Sequence, residues 1–178
     1  MAEQTKDDMQ NREAFAIVGE LVLIATALDT LLNSVVVQVL HLGSSPLIEP
    51  VVATLDTVRK IEILKERADF ISNEEWRKHV TAFISKVESV FRQRNIACHA
   101  PAIYKDGHWT FAPVQAAKVL KHLDLEKPEA KYFPIDDLRA AIVTGEKALG
   151  EGVGLVDNFK RANAELDKKR SSQGSAKT

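Results

Sequence analysis

A chain of 178 residues with 45% hydrophobic and 28% charged residues is long enough to bury one core and has the composition of a globular domain. Lysine and arginine number 24 against 25 acidic residues, a formal net charge of -1, which argues against a broad basic coat for duplex DNA but leaves room for a local anion site. The single cysteine, Cys98, rules out an intramolecular disulfide and suits a reducing compartment.

Residues 1–9 are polar and acidic and read as a disordered N-terminus. They lack the basic and apolar regions of a signal peptide, so a cytoplasmic, soluble chain is expected. From Gln10 to Leu42, Phe15, Val18, Val22, Ala25, Leu28 or Asp29, Leu32, Val36 and Val39 recur at helical spacing. Leu21, Leu23, Ile24, Leu31, Val35 and Val37 fill the other sides, and a helix apolar nearly all round is buried nearly all round. The stretch Leu21 to Leu42 is the membrane candidate. Asp29, Asn33, Ser34, Gln38 and His41 are costly in hydrocarbon, so a core helix covered by a second copy of the chain is expected, with no membrane.

Gly43-Ser44-Ser45-Pro46 is a stop and restart. Leu47 to Ile71 reads as one helix, irregular near Pro50, with an apolar stripe of Val51, Leu55, Val58, Ile61, Leu64 and Ala68. Asp56, Arg59, Lys60, Lys65, Glu66 and Asp69 form its solvated face. Ser72-Asn73-Glu74-Glu75 has the form of a capping box, with Ser72 as cap. The helix that follows carries Trp76, Val80, Phe83, Val87, Val90 with Phe91, then Arg94, then Ala97 with Cys98 on its core face, and ends near His99.

Asp106-Gly107, flanked by Tyr104 and by His108, Trp109 and Phe111, predicts a hairpin over about 102–112. Val114 to Leu125 fits a short helix. A last long helix starts near Pro134-Ile135-Asp136, with Asp136 as cap, and buries Leu138, Ala141, Ile142, Ala148, Leu149, Leu155, Val156 and Phe159. Residues 164–178 read as a polar, basic tail. The expected fold is therefore all-α: an up-and-down bundle of four to five helices over 10–163, with a small β-hairpin inserted after the third helix.

Four of the eight glycines, Gly145, Gly150, Gly152 and Gly154, lie inside this last helix. They lack both the strand–turn–helix context of a dinucleotide site and a phosphate-loop lysine, so close helix approach is expected. Cys98, His99, His108 and His122 lack zinc-site spacing, and no metal or cofactor is expected.

The segment Arg92-Gln93-Arg94-Asn95-Ile96-Ala97-Cys98-His99 carries the chemistry. Arg94 on a core face requires an anionic or carbonyl partner. Asn95 and His99 are four apart and share a side of the helix, whereas Arg94 and His99 are five apart, about 140° around it. Together they supply a bidentate phosphate binder, an amide and a proton-transfer group. The same residues also fit a polar network closing the bundle, with Arg94 paired to Glu20 or Asp29 and His99 capping the helix.

Arg94-Asn95-Ile96-Ala97-Cys98-His99, followed by the small Ala100, resembles the motif of the HEPN superfamily (higher eukaryotes and prokaryotes nucleotide-binding). In that motif an Arg, often followed by Asn, is separated by four to six residues from a His at the end of a long helix. The resemblance extends over roughly residues 10–163. It implies a dimer in which two motifs meet and cleave RNA without a metal, through attack of the 2′-hydroxyl on the adjacent phosphate. On that pattern Arg94 holds the phosphate, Asn95 orients it or His99, and His99 is the general acid or base. Arg92, Tyr104, His108 and Trp109 are further candidate RNA-binding residues, the aromatic ones by stacking on bases. The resemblance also implies a toxin or defence role with an antitoxin partner, or a non-catalytic nucleotide-binding or protein-interaction module. A purely structural dimer is the third reading.

Overall fold

The computed structural model describes residues 2–43, 47–105, 107–111 and 133–174. It is an all-α helical bundle with a small antiparallel sheet, and about 82% of the described residues are helical. The described helices are α1 (Ala2–Val39), α2 (Ile48–Ala53), α3 (Thr57–Ala68), α4 (Glu74–His99) and α5 (Ile135–Gly174). Strands β1 (Ala102–Lys105), β2 (His108–Phe111) and β3 (Phe133–Pro134) lie between α4 and α5 in the chain. The expected helix over Val114 to Leu125 falls outside the described residues.

Two compact units partition the chain. The first comprises Met1–Ala25 with Ser89–Gly145, and the second Thr26–Glu88 with Glu146–Thr178. In the first unit, Ala14, Ile17, Leu21 and Ala25 of α1, Val90 of α4, and Leu138, Ala141 and Ile142 of α5 are buried. Phe15 was expected in that stripe but is 73% exposed, as is Leu23 at 72%. Both sides of α1 are apolar, so periodicity alone could not select the one that packs. Asn11–Val39 is also long and apolar enough, by length and composition, to cross a membrane.

The helices of this unit approach closely at Gly145, where an added Cβ would collide with Ile24 Cγ2 and lie 3.5 Å from Val90 Cγ2. An ion pair between Arg139 and Glu13 links α5 to α1 at the surface. The expected hairpin is present. Ala102 pairs with Phe111 and Lys105 with His108, and Gly107 takes the left-handed conformation (φ +81°) that a tight turn demands. A third strand, β3, was not foreseen. It adds to β2 through Thr110–Pro134 and Phe111–Phe133, and Phe111 is only 2% exposed. Two residues are too few to carry an alternating pattern.

In the second unit, the helix expected over Leu47 to Ile71 is two helices. Thr54 Oγ1 donates to Val51 O at 2.7 Å, and the Asp56 carboxylate accepts from Arg59 N–H at 2.7 Å as the N-cap of α3. The restart moves the apolar face. Val52, Ile61, Leu64 and Ala68 are buried, whereas Val51 and Val58 are exposed. Lys60 was placed on the solvated face but is fully buried. Its Nζ lies 3.0 Å from both oxygens of Asp29, and Thr57 Oγ1 donates to Asp29 Oδ1 at 2.6 Å. At the surface of α3, a hydrogen bond from Arg59 to Glu62 holds the Arg59 guanidinium above its ordinary range.

The cap of α4 is Asn73 rather than Ser72, because the Asn73 side chain accepts from Trp76 N–H at 3.0 Å. Antiparallel α4 and α5 pack through Trp76 against Phe159, edge to face at 5.3 Å, and through the Lys86–Glu151 ion pair. Gly152 lies against α1 and α4, with an added Cβ 2.5 Å from Leu31 Cδ2 and 2.8 Å from Phe83 Cε2. The expected stripe of α5 is buried except at Leu149, which is half-buried. Asp136 lies within the first turn of α5, not at its cap, and pairs with Arg139 at 3.6 Å.

Helix α1 closes at His41, not Gly43. His41 has φ +50°, with His41 N–H donating to Gln38 O and Leu42 N–H to Val37 O, the pattern of a Schellman cap. Asn163 Nδ2 donates to Gln38 O at 2.8 Å, and His41 Nε2 lies 3.1 Å from Asp167 Oδ1. These partners give residues past Asn163 a reason to stay helical, and α5 runs to Gly174 rather than ending in a frayed tail.

Two predictions concern stability. Gly145→Ala and Gly152→Ala should each lower it by about 1 kcal/mol. Overpacking of roughly 1–3 kcal/mol outweighs the gain of about 1 kcal/mol in helix propensity. Gly150→Ala and Gly154→Ala, whose added Cβ meets nothing within 4 Å, should raise it by about 0.5–1 kcal/mol. Urea denaturation of the four variants checks the contrast. Asp29→Ala should cost about 3 kcal/mol by leaving the Lys60 charge buried without its carboxylate, and Lys60→Met should cost less because the charge leaves too. The same denaturation assay reads that asymmetry.

Candidate functional site

Helix α4 stays regular through its motif-bearing end, where Ala100 N–H donates to Ile96 O at 2.8 Å before Pro101. Arg94 is half-buried, while Asn95, His99 and Arg92 are exposed. The Arg94 guanidinium donates through Nη1 to Asn95 Oδ1 at 3.1 Å. Among the described residues, no carboxylate lies within ion-pair distance of Arg94. The Asp29 carboxylate is taken by Lys60 and Thr57, so it is not the partner of Arg94. Nor does Arg94 pair with Glu20.

This is a correction in degree. Arg94 is not a core cation closed into a network. It sits at the edge of the core with most of its donors unspent, and a guanidinium carries five. Cys98, expected on the core face, is exposed. The packed stripe of α4 ends at Val90, and beyond it no residue up to His99 is fully buried. Asn95 and His99 lie one turn apart on one side, whereas Arg94 and His99 diverge by about 140° around the axis. One copy of the chain therefore presents a paired Arg94–Asn95 group and a separate imidazole.

The hairpin starts at Ala102, three residues after His99, so it begins within about 11 Å of that residue by chain length. Tyr104 and Trp109 are directly opposite across the strands, with ring centroids 5.4 Å apart and planes tilted by 57°. Successive strand residues point to opposite faces, so His108 does not join Trp109. The structure thus brings Tyr104 and Trp109 together, 43% of Tyr104 remaining exposed, and sets His108 on the other side of the sheet. Arg92 and Arg94 are two apart on α4, about 200° around it, and do not form one basic patch.

Two polar atoms of this unit were not foreseen. Gln93 Oε1 and Trp109 Nε1 are buried and have no hydrogen-bond partner among the described residues. An unmade buried hydrogen bond costs about 1–3 kcal/mol, which marks both as acceptor and donor with capacity to spare. Gln93 lies between two arginines in the sequence, which drew attention away from it. His122, one of the four soft ligands considered for zinc, lies outside the described residues. Among the described residues, no three His, Cys, Asp or Glu side chains converge as a metal site.

No protein-family model, curated protein or solved structure matches this chain. The site is therefore read from its own residues. If Arg94, Asn95 and His99 are held for function rather than for packing, Arg94→Ala, Asn95→Ala and His99→Ala should each shift unfolding stability by no more than about 1 kcal/mol, near the range of surface substitutions. A loss above about 2 kcal/mol in thermal or urea denaturation would assign them to a bracing network instead.

Proposed function

We propose that the chain is a metal-independent endoribonuclease of the HEPN type, working as a homodimer. The observation that carries the reading is the Arg94–Asn95 pair at the exposed end of α4. It is free of any carboxylate among the described residues and lies one turn before an exposed His99. Cleavage by 2′-hydroxyl attack needs one group to take a proton from the hydroxyl and another to give a proton to the departing 5′-oxygen. One chain offers a single imidazole in the motif. Two copies offer two, along with two guanidinium groups for the negative charge that grows on the phosphate. The divergence of Arg94 and His99 around α4 agrees with that division, in which Arg94 of one copy and His99 of the other face one phosphate. The products would be a 2′,3′-cyclic phosphate and a 5′-hydroxyl.

On this reading, the exposed apolar side chains of α1, Phe15 and Leu23, face the second copy rather than lipid. Tyr104 offers a half-exposed ring for stacking on a base. A cytoplasmic setting, which the single cysteine suits, belongs to the same proposal, as do a toxin or defence role and an antitoxin partner, which the resemblance implies. A second reading, a non-catalytic module that binds RNA or a nucleotide, draws on the same divergence: a single copy holds a phosphate with Arg94 and has no base or acid beside it.

Purified protein incubated with single-stranded and stem-loop RNAs in EDTA tests the proposal. Wild type should leave 2′,3′-cyclic phosphate ends, and Arg94→Ala and His99→Ala should each cut the rate by about 100-fold or more. An inert wild type that still binds RNA, with binding lost in Arg94→Ala, would replace the nuclease with the binding module. An inert wild type whose variants lose only stability would leave a structural dimer.

A further inference from the structure

Within the first unit, α1 has two unlike faces. Ala14, Ile17, Leu21 and Ala25 are buried on one. Opposite them, Arg12, Phe15, Ala16, Gly19, Glu20 and Leu23 are all exposed, and at about 100° per residue they fall within one arc of about 140°. Phe15 and Leu23 are its large apolar members, 73% and 72% exposed. Ala16 and Gly19 lie between them, and a Cβ added at Gly19 meets nothing within 4 Å. The arc therefore has two apolar projections and a low middle, a relief on which a second helix can seat.

Charge selects the occupant. Arg12 and Glu20 flank Ala16, four residues before it and four after. They are about 12 Å apart along the axis, and neither has an ion-pair partner among the described residues. A second α1 laid antiparallel about Ala16 sets Arg12 of each copy level with Glu20 of the other. It also sets Phe15 of each copy level with the gap between Ala16 and Gly19 of the other. A parallel α1 would oppose Arg12 to Arg12 and Glu20 to Glu20. A lipid surface would cover both charges and pair neither.

The same pairing positions the motif. Ile24 and Val90 meet at Gly145, and the first unit holds α1 up to Ala25 and α4 from Ser89 on. From that contact the two helices run on together in opposite chain directions. Equal steps of about 1.5 Å set Arg94 level with Glu20 and His99 level with Phe15. In the antiparallel pair, Arg94 of one copy and His99 of the other then differ by only about 5 Å along the helix axes.

We propose that two copies of the chain pair antiparallel through this face of α1, with Ala16 on the two-fold axis and an Arg12–Glu20 ion pair on either side of it. The pairing rests on the homodimer of the proposed function and gives its composite site a register.

Sedimentation equilibrium of the full chain tests it. Arg12→Glu and Glu20→Arg should each raise the dimer dissociation constant by about tenfold or more, and the double variant should return it to within about threefold of wild type. In a Cys98→Ser background, a short bismaleimide should link Ala16→Cys into a dimer and leave Leu23→Cys unlinked, the two Leu23 positions lying about 20 Å apart along the axes. A parallel pair would link both. Failure of the double variant to recover, linking at both positions or at neither, or a monomer that sediments with phosphatidylcholine vesicles would overturn the pairing. RNA cleavage reads the nuclease separately. A chain that pairs in this register and leaves RNA intact keeps the pairing and loses the nuclease. A chain that cleaves RNA while both single reversals stay fully dimeric keeps the nuclease and loses the pairing.

Discussion

A carboxylate in the middle of an apolar helix must find a partner, and much of the second unit is arranged around the one that Asp29 finds. Lys60 reaches it with both carboxylate oxygens at 3.0 Å, and Thr57 adds a third contact from the same helix. Lys60 has no exposed surface at all. A buried ammonium is tolerated only when a charge and hydrogen bonds replace its water, so the pair fixes the rotation of α3 against α1. That rotation buries Ile61, Leu64 and Ala68 and leaves Val58 facing outward. It also requires α3 to start afresh at Asp56 instead of continuing from α2, since an unbroken helix would carry a different face inward.

In the first unit, Arg94 has no carboxylate within ion-pair distance among the described residues. The arginine keeps donors to spare beside Asn95, and an unspent guanidinium on a half-buried helix face is what phosphate recognition requires. Reactivity toward anions is set there less by the presence of a cation than by whether a carboxylate has already claimed it.

Glycine serves packing here rather than phosphate binding. Gly145 and Gly152 are seven residues apart, two turns of α5, and each admits a side chain from α1 and one from α4. Gly150 and Gly154 lie on the other side of α5, where an added Cβ meets nothing within 4 Å. Spacing rather than number separates the glycines that pack from those that do not.

The all-α class, the hairpin at Asp106-Gly107, the buried stripe of α5 and the close approach at two glycines were all legible in the sequence. Each depends on local periodicity, turn chemistry or the lack of a Cβ. The motif Arg94-Asn95-Ile96-Ala97-Cys98-His99 was legible too, as a set of residue types at one helix end. What the tertiary structure decided were choices among equivalent faces and distant partners. Phe15 points out and Ile17 in, a choice that α1, apolar on both sides, leaves to the helices packed against it. His41 closes α1 where Asn163 donates to Gln38 O and Asp167 lies beside the His41 imidazole, both on a helix more than 120 residues away in the chain. Lys60 is buried, Arg94 has no carboxylate partner among the described residues, and β3 joins the sheet, because pairing between residues far apart in the chain leaves no periodic trace in it. Local rules name the elements and the chemistry, and only the assembled core determines which charges are spent on one another and which remain for a ligand.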